Sequence, residues 1–222
     1  MTEGAPPPLV IVITGPSGVG KDTVVARLTN SELRKRSLVE RLRALDLPLH
    51  VVVTATNRPP RPGERDGVDY IFLSDEEFDR KLAEGGFLEH AEVYGQKKGV
   101  PRDQVERALA EGKDVLLRVD PQGAATIKRL IPEAVVIFIL PGTMTELEQR
   151  IRARGGDTEE DIQRRLQEAA REIGSLAGFD YAVVNEEGKL DQTVSRIAAI
   201  IYAEKARPGR PWPRIRAPQE LA

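Results

Sequence analysis

The chain has 222 residues, of which 40% are hydrophobic and 31% are charged, and its formal net charge is −2. This length suits one good-sized α/β domain, and the near-neutral charge gives no whole-chain argument for binding nucleic acid or a membrane. Cysteine is absent, which excludes disulfides, cysteine zinc sites and a thiol nucleophile. No apolar stretch is long enough to span a bilayer. The N-terminus lacks the pattern of a signal peptide, so we expect a cytoplasmic protein.

The first ordered feature follows a proline-rich segment, residues 1–8, which predicts a disordered leader. The apolar run Leu9–Thr14 predicts a buried strand, and the pattern over Lys21–Thr29 predicts a helix. Between them lies a glycine-rich turn whose backbone N–H groups can surround polyphosphate oxygens. Lys21 adds a charge for the β- and γ-phosphates, and the helix adds its positive end. The expected nucleoside triphosphate site consists of Gly15, Pro16, Ser17, Gly18, Val19, Gly20, Lys21, Asp22 and Thr23.

One position departs from the usual phosphate-loop pattern. The hydroxyl residue expected directly after the lysine is Asp22, and Thr23 comes one residue later. A carboxylate is a stronger ligand for a hard cation such as Mg²⁺, but it also repels phosphates. The alternative is that Asp22 caps the helix and Thr23 serves the metal, and both interpretations stay open.

Beyond the loop, apolar runs alternate with helical patterns. Strands are predicted over His50–Thr54, Asp114–Val119, Ala134–Leu140 and Tyr181–Val184. Helices are predicted over Ser37–Ala44, Arg102–Glu111, Gln122–Leu130, Thr143–Arg154, Glu159–Leu176 and Lys189–Lys205. This alternation predicts a three-layer α/β fold with a parallel central sheet covered on both faces.

Residues 57–99 interrupt the alternation and are rich in Gly, Pro, Asp and Arg. Short strands are predicted over Tyr70–Leu73 and Phe87–Val93, with a helix between them that Ser74 and Glu77 cap. We expect a small α/β insertion over the ends of the sheet strands, where ligands of open α/β sheets bind. Arg58 and Arg61 lie in a proline-stiffened part of it, which suits bidentate capture of a phosphate, although a solvated charged loop is the alternative.

The segment 154–158 lies between two predicted helices, and its paired glycines suit a mobile lid. Arg150 and Arg154 are four residues apart, so they share one helix face. Arg164 and Arg165 follow in the next helix. Arginine that reaches a transferring phosphoryl group stabilises its spread charge. The alternative is surface ion pairing with the acids that begin that helix.

Asp120 ends an apolar strand pattern. In a phosphate-loop protein it is a candidate ligand of Mg²⁺ or of a Mg²⁺-bound water, and also a candidate N-cap, and these roles can coexist. His50 and His90 are isolated and give neither a catalytic triad nor a metal cluster. This scarcity fits transfer to another phosphate, because an anionic acceptor oxygen needs no general base.

Together these motifs resemble the guanylate kinase family from about Val10 to Lys205. The matching stretches are Gly15–Thr23, Thr54–Glu64, Gly67–Tyr70, Phe87–Ala91, Val119–Ala124, Arg150–Arg154 and Val184–Asn185. The resemblance implies a phosphate-loop NTPase fold with a small insertion that binds the nucleoside monophosphate and a helical lid. It implies the Mg²⁺-dependent reaction of ATP with GMP to give ADP and GDP, with dGMP a candidate acceptor. It implies neither a nucleic-acid nor a membrane partner, and a monomer or small homo-oligomer.

The resemblance also assigns roles and boundaries. It implies that Thr54, Arg58, Arg61, Tyr70, Glu89, Lys98 and Asp120 bind GMP, that Asn185 joins the phosphate loop in binding ATP, that Lys21, Arg150, Arg154 and Arg165 serve catalysis, and that Asp120 lies between metal and nucleotide. Because carboxylates bind hard cations strongly, Asp22 and Asp120 are the expected Mg²⁺ ligands. The domain is expected over 9–206, with the core at 9–56 and 100–206, the GMP-binding insertion at 57–99 and the lid at about 150–165. Residues 207–222 are expected to form a flexible tail.

Three positions depart from the family's pattern. A phosphate-contacting tyrosine is replaced by Lys98, a base-contacting hydroxyl by Val100, and the first acid of an Asp-x-Asp motif by Arg118. A non-catalytic binding module of the same fold is one alternative, and Lys21 with the lid arginines argues against it. A kinase for another mononucleotide or a phosphorylated sugar is a second alternative. Glu89 argues against that one, because one carboxylate accepts both the N1–H and the 2-amino donors of guanine.

Overall fold

The computed structural model describes residues 6–29, 49–61, 63–93, 95–217 and 220. Its strands are β1 (Val10–Thr14), β2 (Leu49–Val51), β3 (Ala55–Thr56), β4 (Ile71–Phe72), β5 (Phe87–Val93), β6 (Gln96–Pro101), β7 (Asp114–Arg118), β8 (Val135–Pro141) and β9 (Tyr181–Asn185). Its α-helices are α1 (Lys21–Thr29), α2 (Asp75–Ala83), α3 (Arg102–Ala110), α4 (Pro121–Leu130), α5 (Met144–Arg154), α6 (Glu159–Gly174) and α7 (Leu190–Ala206). Within those described ranges, no helix is both long and apolar enough to cross a membrane.

The central sheet is parallel and has the strand order β2-β7-β1-β8-β9. All five residues of β1 are buried, because helices cover both faces of the sheet. Successive side chains of a strand point to opposite faces. Ile11 and Ile13 therefore pack with α1, α5, α6 and α7, whereas Val10 and Val12 pack with α3 and α4. These two clusters are the halves of the core, and the predicted three-layer fold is confirmed.

A second sheet stands beside the core, with the order β4-β3-β6-β5. Here β3 pairs in parallel with β4, and β6 pairs antiparallel with both β3 and β5. Helix α2 covers this sheet, and the rings of Phe78 and Phe87 stack with their centroids 4.5 Å apart. The predicted capping box of α2 is confirmed, since Ser74 and Glu77 each accept from the other's backbone N–H.

The structure differs from the sequence prediction mainly at element ends and in this second sheet. Strands β3 and β6 were not predicted, because β3 has two residues and β6 carries Lys97, Lys98 and Pro101 instead of an alternating apolar pattern. The predicted helix Ser37–Ala44 lies outside the described residues. At α5, Thr143 caps the helix by accepting from the Glu146 backbone N–H at 3.0 Å.

The segment after α7 was predicted to be flexible, and the structure gives residues 207–217 defined contacts. The backbone N–H of Arg216 donates to the Leu130 carbonyl at 2.8 Å, and Ile215 packs against the core. The guanidinium of Arg210 donates to the Pro8 carbonyl at 2.9 Å. These contacts tie the segment to helix α4 and to the residues before β1. Residues 1–5 of the expected leader lie outside the described residues.

Candidate active site

The phosphate loop connects β1 to α1, and its glycines are required by close packing. Gly15 has φ +139°, and a Cβ there would collide with the Ile139 carbonyl. Gly20 has φ +93°, and a Cβ there would lie 2.8 Å from Asn185 Nδ2. That amide donates to the Val19 carbonyl at 2.9 Å, and Asn185 is buried. Asn185 therefore fixes the loop's shape from behind.

Lys21 lies at the centre of the loop. Its Nζ donates to the Gly15 carbonyl at 2.5 Å and to the Pro16 carbonyl at 3.0 Å. Burial lowers the pKa of Lys21 to about 8, against the opposing charges of Asp22 and Glu172. A bound phosphate would favour the charged ammonium and raise this pKa again.

A cavity of about 320 Å³ opens in front of the loop. Most of the predicted site residues line it: Gly15, Ser17, Gly18, Gly20, Lys21, Asp22, Thr23, Thr54, Arg58, Arg61, Tyr70, Lys98, Asp120, Arg150, Arg154 and Arg165. The structure thus brings the phosphate loop, the small sheet and the lid arginines around one space. Four predicted residues do not line this cavity: Pro16, Val19, Glu89 and Asn185.

Arg58 and Glu64 form a bidentate ion pair on the side of the cavity that the small sheet provides. Two short hydrogen bonds of 2.6 Å join the Arg58 guanidinium to both carboxylate oxygens of Glu64. Arg58 lowers the pKa of Glu64 to about 2. Glu64 Oε2 also accepts from the backbone N–H of Arg61 at 2.8 Å. Glu64 therefore orients Arg58 and the Arg61 turn, a role that sequence reasoning had not assigned.

Tyr70 lies between two guanidinium groups. The Cζ of Arg58 is 4.8 Å and the Cζ of Arg118 is 5.1 Å from the centre of its ring. Arg118 also forms an ion pair with Asp22 at 2.8 Å. Asp22, which departs from the phosphate-loop pattern, and Arg118, which replaces the first acid of the Asp-x-Asp motif, have opposite charges and are thus direct partners. Their opposite signs were the signal in the sequence that could have predicted this.

The lid arginines differ in what they contact. Arg165 reaches both Asp157 at 2.9 Å and the hydroxyl of Ser17 at 3.4 Å. Arg150 instead donates to the Asn185 carbonyl at 3.0 Å and to the Val19 carbonyl at 3.4 Å, which supports the loop. Arg154 is exposed at the edge of the cavity.

Glu89 is buried beside the N-terminus of α4. Burial and the charge of Asp120 raise its pKa to about 8. A Cβ on Gly123 would lie 2.9 Å from the Glu89 carboxyl group, so helix and carboxyl approach as closely as a glycine allows. Val100, which replaces the expected hydroxyl, is fully buried in the core cluster.

Three side chains that the sequence analysis considered for a metal, Asp22, Thr23 and Asp120, line the cavity. Asp120 caps α4 by accepting from the Gly123 N–H at 2.8 Å through Oδ1, so the predicted N-cap is confirmed. Asp22 and Thr23 lie at the start of α1 and are exposed to the cavity. Across the described ranges, no group of three or more His, Cys, Asp or Glu residues could hold a metal ion by itself. Hard oxygen donors fit Mg²⁺, which commonly takes one or two carboxylates together with phosphates and water.

Sequence reasoning missed two acids on α6. Glu168 and Glu172 line the cavity opposite the loop, and burial raises the pKa of Glu172 to about 7 while the charge of Lys21 opposes this. Their spacing from Arg165, three and seven residues, places all three on one helix face. That spacing was a visible signal.

The phosphate loop follows the first strand of a parallel sheet that helices cover on both faces, and it faces a second cluster of arginines. This arrangement defines a phosphate-loop NTPase fold. Comparison with known proteins narrows this class. The family model described as guanylate kinase matches residues 8–204. A guanylate kinase of Thermus thermophilus is 46% identical over 201 residues, which cover 90% of this chain and 84% of the relative. One of Clostridium perfringens is 45% identical over 202 residues, covering 91% and 86% of the two chains.

A solved structure gives the same result. The crystal structure of guanylate kinase from Anaplasma phagocytophilum superposes with a TM-score of 0.70 at 30% identity, and the match covers 92% of this chain and 90% of that one. The chain therefore belongs to the guanylate kinase family.

Proposed function

We propose that this protein transfers the γ-phosphoryl group of ATP to GMP and so forms ADP and GDP. The observation that carries the proposal is that one cavity joins the phosphate loop to the arginine cluster of the small sheet. One phosphate site would hold the donor and the other the acceptor. Two anionic phosphates are brought together only if cations offset their repulsion, and this cavity supplies them.

The donor side is formed by the loop and Arg165. The loop N–H groups and Lys21 hold the β- and γ-phosphates. Arg165, placed between Ser17 and Asp157, points its guanidinium at the end of the loop. There it stabilises the charge that spreads over the transferring group, an effect worth roughly 10³–10⁵ in rate in enzymes with such an arginine.

The acceptor side binds the phosphate of GMP through Arg58, Arg61 and Tyr70. In the described part of the chain, no hydrogen bond or ion pair of the Arg61 guanidinium is found, so its donors are available to a phosphate. An oxygen of the GMP phosphate attacks the γ-phosphorus, and the bond from that phosphorus to the oxygen bridging to the β-phosphate breaks. No general base is needed, because the attacking oxygen is already anionic.

Guanine is recognised by Glu89 in this proposal. Its ionised carboxylate accepts from the N1–H and 2-amino groups of guanine in parallel, and adenine offers no such pair. Thr54, Lys98 and Asp120 complete the acceptor site around it. The burial of Glu89 makes the site more selective, because a base that leaves this buried carboxylate unmatched is penalised.

Mg²⁺ fits the oxygen donors of Asp22, Thr23 and Asp120, and when bound it neutralises charge on the β- and γ-phosphates. Asp22 is also paired with Arg118. Residues 57–99 then serve as the GMP-binding insertion and residues 150–165 as the lid of a core formed by 9–56 and 100–206.

The test is a coupled assay of ADP release with GMP, AMP, CMP and UMP as acceptors. We expect GMP to be strongly preferred. Glu89→Gln should lower kcat/KM for GMP by a factor that corresponds to roughly 2–4 kcal/mol of lost transition-state stabilisation, since it places an amide donor against guanine's donors. Glu92→Gln is the matched control, because Glu92 lies on the same strand and is exposed.

Each alternative has its own outcome. Equal kcat/KM for GMP and AMP would contradict the role of Glu89. Tight binding of GMP without ADP release would favour a non-catalytic module. A faster reaction with another mononucleotide or a phosphorylated sugar would replace GMP as the acceptor.

A further inference from the structure

Arg118 is the meeting point of three parts of the molecule. It ends β7 of the central sheet, and its side chain is only 19% exposed. Its Nη1 lies 2.8 Å from Asp22 at the start of α1, and its Nη2 donates to the Asp69 carbonyl at 3.4 Å. Its guanidinium also lies against the ring of Tyr70. Core, phosphate loop and small sheet are thus joined through one side chain.

The charge of Asp22 makes this contact necessary. Asp22 directly follows Lys21, so polyphosphate held by the loop places several negative charges beside its carboxylate. Like charges that lie within a few ångströms of each other repel by more than thermal energy where the surroundings are less polar than water. An arginine fixed at 2.8 Å from Asp22 offsets that carboxylate.

The other side of Arg118 faces the acceptor site. Asp69 and Tyr70 belong to the segment that carries the acceptor-phosphate contacts, and Arg58 shares the Tyr70 ring with Arg118. Burial lowers the pKa of Lys98, and the charges of Asp120, Asp22 and both arginines also act on it. Loss of Arg118 therefore removes a support of Tyr70 as well as the partner of Asp22.

Resting on the proposed function, we propose that Arg118 is a positioning residue with two separable effects. Its charge compensates Asp22, which lets the loop hold the donor polyphosphate. Its forked contacts with Asp69 and Tyr70 hold the acceptor segment against the loop. Removal of Asp22 then repairs the first effect of losing Arg118 and leaves the second.

The test measures binding of ATP and of GMP separately by titration calorimetry, once with EDTA and once with Mg²⁺. The variants are Arg118→Gln, Arg118→Lys, Asp22→Ser and the double variant Asp22→Ser/Arg118→Gln. Arg118→Gln should weaken ATP binding by about tenfold or more, with the largest effect in EDTA. In EDTA the double variant should bind ATP within about threefold of the wild type, yet bind GMP as weakly as Arg118→Gln.

Arg118→Lys separates charge from shape. A lysine still offsets Asp22, so ATP binding should stay within about threefold of the wild type, but its single ammonium cannot also contact Asp69 and Tyr70, so GMP binding weakens. Arg107→Gln is the control, because Arg107 forms an exposed ion pair with Asp103 at 3.0 Å on α3. Thermal unfolding verifies that each variant is folded. If Arg118→Gln does not fold, the binding data of Arg118→Lys test the proposal.

Two results would overturn the inference: a double variant that binds ATP no better than Arg118→Gln, or an Arg118→Lys variant that binds GMP as well as the wild type. The proposed function fails separately, if the wild type binds GMP but releases no ADP. Binding and turnover therefore distinguish the two failures.

Discussion

Among single residues, Glu89 combines its proposed contact with guanine with the free-energy cost of a buried charge. A carboxyl group that burial has moved to a pKa of about 8 is mostly protonated at neutral pH. The proposed contact with guanine needs the ionised form of Glu89, because both guanine groups that would face it are donors. Removal of this proton when GMP binds therefore lowers the affinity of the protein for GMP.

The affinity for GMP should therefore depend on pH. Below pH 8 the carboxyl of Glu89 must lose a proton when GMP binds, so the dissociation constant for GMP should rise as pH falls from 8.5 to 6.5, by up to about tenfold per unit. Calorimetric titration of GMP across this range measures it. Glu89→Gln removes the titrating group, and its pH profile reports the ionisation of the GMP phosphate and of all other groups. Parallel profiles for wild type and variant would contradict the assignment.

Residue identities at the site could be read from the sequence far better than residue partners. Lys21, Arg58 and Arg165 lie around the cavity as their motifs indicated. The pairing of Asp22 with Arg118, which only their opposite charges indicated, and the donation of Arg150 to the Val19 carbonyl of the loop were not predicted. Each joins residues far apart in the chain, and hydrogen-bond partners depend on distances that a motif does not contain.

At the scale of elements, the N-terminus of α4 sets the room around Glu89. We expect Gly123→Ala to displace the Glu89 carboxyl and reduce kcat/KM for GMP by roughly tenfold or more, because the new Cβ would lie 2.9 Å from it. ATP binding should be unchanged. Gly174→Ala is the control, since a Cβ at Gly174 meets nothing within 4 Å. Coupled kinetics and ATP titration together measure both effects, and an unchanged GMP reaction in Gly123→Ala would show that the carboxyl can move without loss.

Elements with a strong apolar period were predicted well, and the others were not. Helices α3 to α7 each begin within one residue of the predicted start. Strands β3 and β6 were not predicted because they lack an apolar pattern of their own. Pairing holds them in the sheet, β3 with β4 and β6 with β5. At the start of α6, Thr158 and Asp161 form a capping box. Its residues are visible in the sequence, but it was not predicted from them.

At the scale of the whole molecule, the insertion and the lid carry cations that face one cavity from two sides. Arg61 and Arg154 are exposed at its edges, and Gly155 and Gly156 follow Arg154 with φ of +69° and +84°. Transfer requires water to be excluded, so we expect both segments to close over bound nucleotides. Small-angle scattering should show a smaller radius of gyration with a bisubstrate analogue than with ADP alone. An unchanged radius would contradict closure.

A buried ion pair joins the start of β7 to helix α7. Asp114 is 1% exposed, pairs with Lys205 of α7 at 2.6 Å and accepts from the Leu9 N–H at 2.8 Å. We expect Asp114→Asn to lower the free energy of unfolding by about 3 kcal/mol, because it leaves a poorly solvated ammonium without its partner. Asp103→Asn, which breaks an exposed pair, should cost under about 1 kcal/mol. Urea denaturation measures both, and equal losses would show that burial adds nothing here.

The position of β1 in the sheet has a consequence for how the chain is made. This strand is synthesised first and lies at the centre, yet its neighbours β7 and β8 begin only at Asp114 and Val135. Until they emerge from the ribosome, five consecutive β-prone residues, Val10–Thr14, have no native partner. Contacts so distant along the chain slow folding, and an unpaired strand of this composition is prone to aggregate. During synthesis the residues of β1 therefore stay exposed, and prone to aggregate, until β7 and β8 have emerged.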